Sequence, residues 1–570
     1  MRFVRAVAVV WALVVLVAVA QGQKAKPPQH LVQDWSTRHV VFTGLTAGSA
    51  AAKAPTEPRA WHSWVTHAGR PAVLAAQGRG LPPIPAVLHR HKRKGLKADW
   101  NEPIFGSISP RFSPAKFSFD VNAAPDCTND YVVFPTTNSA SPGQSGGGTA
   151  ASLIAFNNLY TGAGPTGICP TPLAPSDQPS VLFAYNTSTT LNGAAHLSPA
   201  LSLDGKKIAF VESNDGFSND YTAFHVLTWK AGEGTAADIA AVPGDCSAGN
   251  SCMTTLVLSN THSDHFSSPF IDYANDVAYV ADDGGTLHKI ASVFGGAPTE
   301  VTTGGWPLSL TAFGGLLGSP VYDSVSGHIV VSDNTGGQLF VIDGTIPRVL
   351  IIWTGYVTLA DPIVDSTNQT VFLVACRTNT LHLVVDQFDT AGNRLQEVDG
   401  GALAGDVSVF PGALDNNYFT DPATGSFYFA GAVGGTASLL QVGFTGSIMN
   451  AVASGPLALS TSATTSLPVS ITEAFNPNLV SAKDRVFVGV DENCAQGSTN
   501  GCIESLDISN GLPATILDAY AVQGNSQSSV GGMVIDNVSI APQASNIYVE
   551  AAPATGTFVS AIKLTQSGLQ

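Results

Sequence analysis

The stretch Ser319–Asp343, SPVYDSVSGHIVVSDNTGGQLFVID, decides the reading of this chain. It holds three extended runs, SPVY, HIVVSD and QLFVID, each rich in β-branched or aromatic residues and separated by Asp, Ser, Gly and Asn. That pattern predicts strand, turn, strand, turn, strand. A fourth run, RVLIIWT from Arg348 to Thr354, follows Gly-Thr-Ile-Pro, and the motif begins again at Asp361. The unit is therefore a four-stranded sheet.

Copies of the unit extend from about residue 115 to the C-terminus. Their first strands are expected near Phe117, Pro199, Pro269, Pro320, Pro362, Tyr418, Pro477 and Met533. The second strands are the most alike: YVVF at 131, KIAFVE at 207, VAYVAD at 277, HIVVSD at 328, VFLVAC at 371, FYFAGA at 427, RVFVGV at 485 and NIYVEA at 546. Eight copies result, seven being the alternative count, on a period long enough for one small sheet each. The runs are apolar on both faces, as expected of sheets packed between two neighbours. An all-β protein follows. The last copy stops after its third strand (VSAIKL, from 559), so a segment between Trp100 and Ile108 is expected to supply the fourth, covering an edge that would otherwise invite pairing.

Radial stacking of such sheets is the arrangement of a β-propeller. The segment LSPALSLDGKKIAFVES, Leu197–Ser213, resembles the repeats of TolB-type propellers, and the other copies are similar to the divergent repeats of YVTN-type and quinoprotein-like propellers. The resemblance covers residues 115–566 and implies the superfold, which hosts many functions. It also implies that the loops entering each blade and the turns between second and third strands share one face around a central funnel. The first kind of loop would hold His196, His262, Asp264, His265 and Glu473; the second kind would hold Asp282, Asp283, Asp333 and Arg377.

The rest of the chain reads differently. Residues 1–20 carry Arg2 and Arg5, an apolar run, and Ala18-Val19-Ala20, the features of a signal peptide cut after Ala20. Residues 21–98 are rich in Pro, Ala, His and basic residues and read as a largely irregular linker or pro-region; within it, His89–Lys97 (HRHKRKGLK) is a dense basic run. The propeller is expected over 99–570. Of the 26 Lys and Arg, 14 lie in residues 1–100, against 3 of the 42 Asp and Glu. The propeller is strongly acidic, which argues against nucleic acid or an anionic membrane as its partner. No later stretch is long and apolar enough to span a bilayer. Seven cysteines fit an exported protein, secreted or periplasmic, with Cys246–Cys252, Cys494–Cys502 and Cys127–Cys169 the pairs suggested by proximity and Cys376 left as a buried small hydrophobe.

Asp120, Asp272, Asp323, Asp365, Asp421 and Asp536 recur at one place, just before a turn, where a carboxylate accepts from amides two residues on. Their repetition is structural. The local cluster with metal-capable side chains is THSDHF, residues 261–266, in which His262 and His265 would ligate a divalent transition ion. No other cofactor is assigned. His196, Asp264, Asp282, Asp333, Arg377 and Glu473 are the ligand-binding candidates. The function expected is that of a non-catalytic binding or scaffolding module acting on a protein, glycan or small molecule through an acidic, His-bearing funnel face. The competing reading is a propeller hydrolase or lyase, possibly metal-dependent, with its site in the funnel near the same residues.

Overall fold

Strands that are apolar on both sides need cover on both sides, and in this chain each sheet obtains it from the next. The structure is a computed structural model that describes residues 32–33, 40–42 and, with short gaps, 96–565. Residues 1–20, Trp35, Trp61, Trp64, His89–Lys94 and His196 lie outside the described residues.

Eight sheets follow one another around a ring, making an eight-bladed β-propeller. Blade 4 is the opening stretch itself: Val321–Asp323, His328–Asp333, Gln338–Asp343 and Arg348–Trp353, all antiparallel. The innermost strands of the other blades are Ala115–Ser118, Ala200–Leu201, Phe270–Asp272, Ile363–Asp365, Ala413–Leu414, Pro468–Asn476 and Val530–Asp536. The core is a series of slabs between consecutive blades. Val486, Val488 and Val490 of blade 7, for example, pack on Tyr428, Ala430 and Leu439 of blade 6, while Phe487 from the same strand turns to Met533 and Ile547 of blade 8.

Blade 8 takes its fourth strand from the other end of the chain. Lys97–Pro103 pairs antiparallel with Ser560–Thr565, overlapping the segment expected to close the ring and starting three residues earlier. Trp100 anchors it: the side chain is buried, its indole N–H donates to the Leu159 carbonyl at 3.1 Å, and its ring meets Phe156 and Tyr548.

Two inner strands differ from expectation. In blade 6 the strand is Ala413–Leu414, and Tyr418 sits in a short helix, Asn416–Thr420. Asp415 caps that helix, accepting from the Tyr418 amide. In blade 7 the strand is Pro468–Asn476, ahead of the expected one, and Pro477 is outside the described residues. Four of the six repeated aspartates serve turns, while Asp536 pairs with Lys116 at 3.2 Å. Asp272 accepts from Ala274 N, Asp323 from Val325 N and Asp365 from Thr367 N, at 3.1, 3.1 and 2.9 Å. Asp421 does the same for Ala423 from a 3₁₀ helix rather than a strand. Asp120 is outside the described residues.

All three cysteine pairs form disulfides, and Cys376 is free and buried, its thiol pushed up to about 11 by burial. Disulfides of this number mark a chain that folds outside the cytoplasm. No described helix is long and apolar enough to cross a membrane.

Candidate binding site at the channel mouth

The loops that enter the first five blades carry one local motif: Ser113-Pro114, Ser198-Pro199, Ser268-Pro269, Ser319-Pro320 and Asp361-Pro362. Proline fits the first position of a strand because it has no N–H to leave unpaired, and it holds the residue before it extended. That preceding residue is thereby aimed at the next blade. Ser113 N donates to Ser198 Oγ at 2.8 Å, Ser198 N to Ser268 Oγ at 3.2 Å, Ser268 N to Ser319 Oγ at 3.1 Å, and Ser319 N to Asp361 Oδ1 at 2.9 Å. A directional chain of hydrogen bonds thus runs around the channel mouth from blade 1 to blade 5.

Arg111, just ahead of Ser113, spans the mouth. Its guanidinium lies 4.9 Å from the ring centroid of Phe266, at the entry to blade 3, and 5.9 Å from that of Phe410, at the entry to blade 6. A side chain from blade 1 that reaches both must stand near the axis. Burial pulls the guanidinium's pKa down, and the charge of Asp361 opposes the fall. Arginine stacks on aromatic faces in this way more readily than lysine.

Beside this centre, at the border of blades 2 and 3, the entry loop and the turn between second and third strands meet on the same face. Asp283 N donates to the Ser263 carbonyl at 2.9 Å, and His265 Nδ1 lies 2.5 Å from Asp283 Oδ2. Asp264 is buried. Its Oδ1 accepts from Phe266 N and Ser267 N at 3.1 and 2.8 Å, while Oδ2 has no hydrogen-bond partner among the described residues. Burial, then the charges of Asp283 and Asp282, push its carboxyl well above the usual range. His262 is exposed; its carbonyl accepts from Thr222 Oγ1 and its ring covers Gly284, where a Cβ would come 1.9 Å from His262 Cδ2.

The other candidates occupy different settings. Asp282 holds the turn, accepting from Thr286 N at 2.8 Å, and faces His288 Nε2 at 3.3 Å; His288 Nδ1 meets Glu300 at 2.6 Å. Asp333 accepts from Thr335 N and Gly336 N at 2.9 and 3.1 Å, the same local turn chemistry. Arg377 lies over the Tyr356 ring at 4.6 Å and pairs with Asp386 at 3.3 Å and with Glu397 of the outermost strand, so its charge is directed outward along blade 5. Glu473 is not in an entry loop: it is a half-buried residue inside the innermost strand of blade 7. Among the described residues no three His, Cys, Asp or Glu side chains converge as a metal centre. The structure therefore gathers Asp264, Asp283, His262 and His265, and separates Arg377 and Glu473 from them. Arg111, Phe266, Phe410 and Asp361 escaped the sequence reading, although the recurring Ser/Asp-Pro pair was its visible trace.

No protein-family model and no curated protein matches the sequence. Among solved structures, the chain is similar to BamB from Moraxella catarrhalis, with a TM-score of 0.40 and 10% identity over 82% of this chain and 98% of that one. It is also similar to a protein from Lactobacillus plantarum, with a TM-score of 0.36 and 13% identity over 68% and 95% of the two chains.

Proposed function

We propose that the protein is an exported, non-catalytic binding module whose acidic, His-bearing channel face takes a positively charged partner. The observation that carries this reading is the crowding of Asp264, Asp282 and Asp283 at the border of blades 2 and 3. The charges of Asp283 and Asp282 raise the Asp264 carboxyl beyond what burial alone does, and a cationic group at that face would relieve the repulsion. The surplus of acids over bases in the propeller extends the attraction and steers a basic partner toward it. Export, to the periplasm or the medium, is supported by the disulfides and by the signal-like first 20 residues.

The probe is a labelled peptide with the chain's own basic sequence, HRHKRKGLK, titrated into the full-length protein. Binding should weaken by about tenfold or more between about 50 mM and about 300 mM NaCl. The triple variant Asp264→Asn, His265→Ala, Asp283→Asn should lose roughly fivefold in affinity, while Asp343→Asn with Asp389→Asn, on the opposite face, should bind as the wild type does. Equal losses in both variants, or no binding at low salt, would overturn the proposal.

A further inference from the structure

Two short strands from the segment ahead of the propeller lie inside the ring. Val32–Gln33 pairs antiparallel with the innermost strand of blade 5, Val32 opposite Asp365 and Gln33 opposite Val364. Val40–Phe42 pairs parallel with the innermost strand of blade 1, in the register Val40 to Lys116, Val41 to Phe117 and Phe42 to Ser118. In a ring of eight, blades 1 and 5 stand opposite each other. The chain from Gln33 to Val40 can reach at most about 25 Å when extended, so these two additions fasten one continuous segment to both walls of the channel.

The inner edge of an innermost strand is an open row of backbone N–H and C=O groups, which is the surface that extended polypeptide recognises. Side chains add to the backbone pairing. Val32 is 0% exposed and packs with Ala360, Ile363 and Phe372; Val41 is 1% exposed and packs with Ala115, Phe117 and Tyr131. Each wall thus offers a strand edge together with an apolar seat for a β-branched residue. The two strands are otherwise far from the propeller in sequence, joined to it through residues 43–95.

We propose that the channel is a binding site for extended polypeptide and that residues 32–33 and 40–42 are its intramolecular occupant, a strand plug that a second extended segment can replace. The occupant that the geometry favours is this chain's own segment, in cis; an equivalent segment of a partner would have to present β-branched residues at the two valine seats. The two valine seats are apolar and the pairing is backbone-directed, which distinguishes this site from the charged face described above.

The test keeps the full chain. A site-specific protease sequence placed between Ala76 and Gln77 is cut in the folded protein, which is then run on a size-exclusion column. The wild-type N-terminal fragment should stay with the propeller, whereas the fragment carrying Val32→Asp and Val41→Asp should separate, since each carboxylate would have to enter an apolar seat. A labelled peptide of residues 30–43, HLVQDWSTRHVVFT, should then bind the cut variant, and bind the uncut wild type at least about tenfold more weakly because the site is filled. High salt should leave this binding in place, unlike that of the basic peptide. Separation of the wild-type fragment, or equal binding of the peptide to the plugged and unplugged proteins, would overturn the inference. A melting temperature for the variant close to the wild type's keeps the comparison valid, and amide exchange on uncut wild type gives an independent readout: unprotected amides at Val32 and Val41 would also overturn it.

Discussion

Lys563 Nζ lies 3.1 Å from Asp99 Oδ2, with the lysine side chain 0% exposed and the aspartate 6%. The pair joins the last strand of the chain to the strand that closes the ring. Asp99 can reach it because the register slips between Ala98 and Trp100, a bulge that re-aims one side chain. Lys563 also donates to the Thr161 carbonyl of blade 1 at 3.3 Å. Asp99→Ala should deprive a buried ammonium of its ion-pair partner and cost about 3–5 kcal/mol in chemical denaturation. Asp99→Leu with Lys563→Met should recover most of that loss.

The same lysine makes alkaline stability testable. Burial, against the attraction of Asp99, pulls its pKa down to about 8, below the ~10.4 of an exposed lysine. Between those values the unfolded chain binds more protons than the folded one, so this group's contribution rises with pH across the window. In the Lys563→Met variant the melting temperature should therefore gain less, or fall more, than the wild type's as pH goes from about 8 to about 10.

Several buried carboxyls act in the opposite direction at lower pH. Burial pushes Glu102, Glu504 and Asp415 up to about 7, with Asp484 adding to the last. A raised carboxyl contributes stability that is fully present below its unfolded value and lost as pH rises through the folded one. The protein should melt at a higher temperature near pH 5 than near pH 8. Burial outweighs the backbone hydrogen bonds from Gln496 and Ala495 at Glu504, so Glu504→Gln, which removes the buried charge, should raise the melting temperature at pH 8 by a few degrees and change it little at pH 5.

His288 adds to that trend by a different route. Burial disfavours its charge, but the hydrogen bonds and charges of Asp282 and Glu300 outweigh burial and raise its pKa. Its share of stability is present below about pH 6.5 and disappears as pH rises through the folded value. A proton titration of the imidazole by NMR should give a midpoint above that of an exposed histidine, and Glu300→Gln should lower it.

Gly337, in the opening stretch, has φ +60°, and a Cβ there would come 1.8 Å from the Tyr356 carbonyl oxygen. Gly337→Ala therefore meets both backbone strain and a clash with main chain that cannot rotate away. A loss of at least about 2 kcal/mol is expected in a denaturant titration.

The central strands were legible because they are apolar on both faces and bracketed by turn residues, as in His328–Asp333 and Gln338–Asp343. The inner strands of blades 6 and 7 were not. In blade 6, Tyr418, Phe419 and Asp421 imitate the aromatic-then-aspartate ending of an inner strand, yet belong to a capped helix and a 3₁₀ turn whose aspartate serves the same hydrogen-bonding role. The candidate site was legible only where it is local: Asp264 and His265 are two residues of one short loop, and Asp283 lies in the turn that follows two strands later. Arg111 draws on Phe266, Asp361 and Phe410, which come from blades 3, 5 and 6, and nothing in the neighbourhood of any one of them in sequence announces the meeting.

Closure by Lys97–Pro103 also sets a timetable. In a chain that emerges from its N-terminus, this strand appears before any blade and must wait until Ser560–Thr565 has been made to find its partner. Throughout that interval its edge is available to the wrong strand, including the finished last strand of a neighbouring copy. The order of synthesis therefore makes ring closure the slow, long-range event in assembly, and it makes interlinked copies, each lending its closing strand to the other's last blade, the characteristic failure product of this architecture.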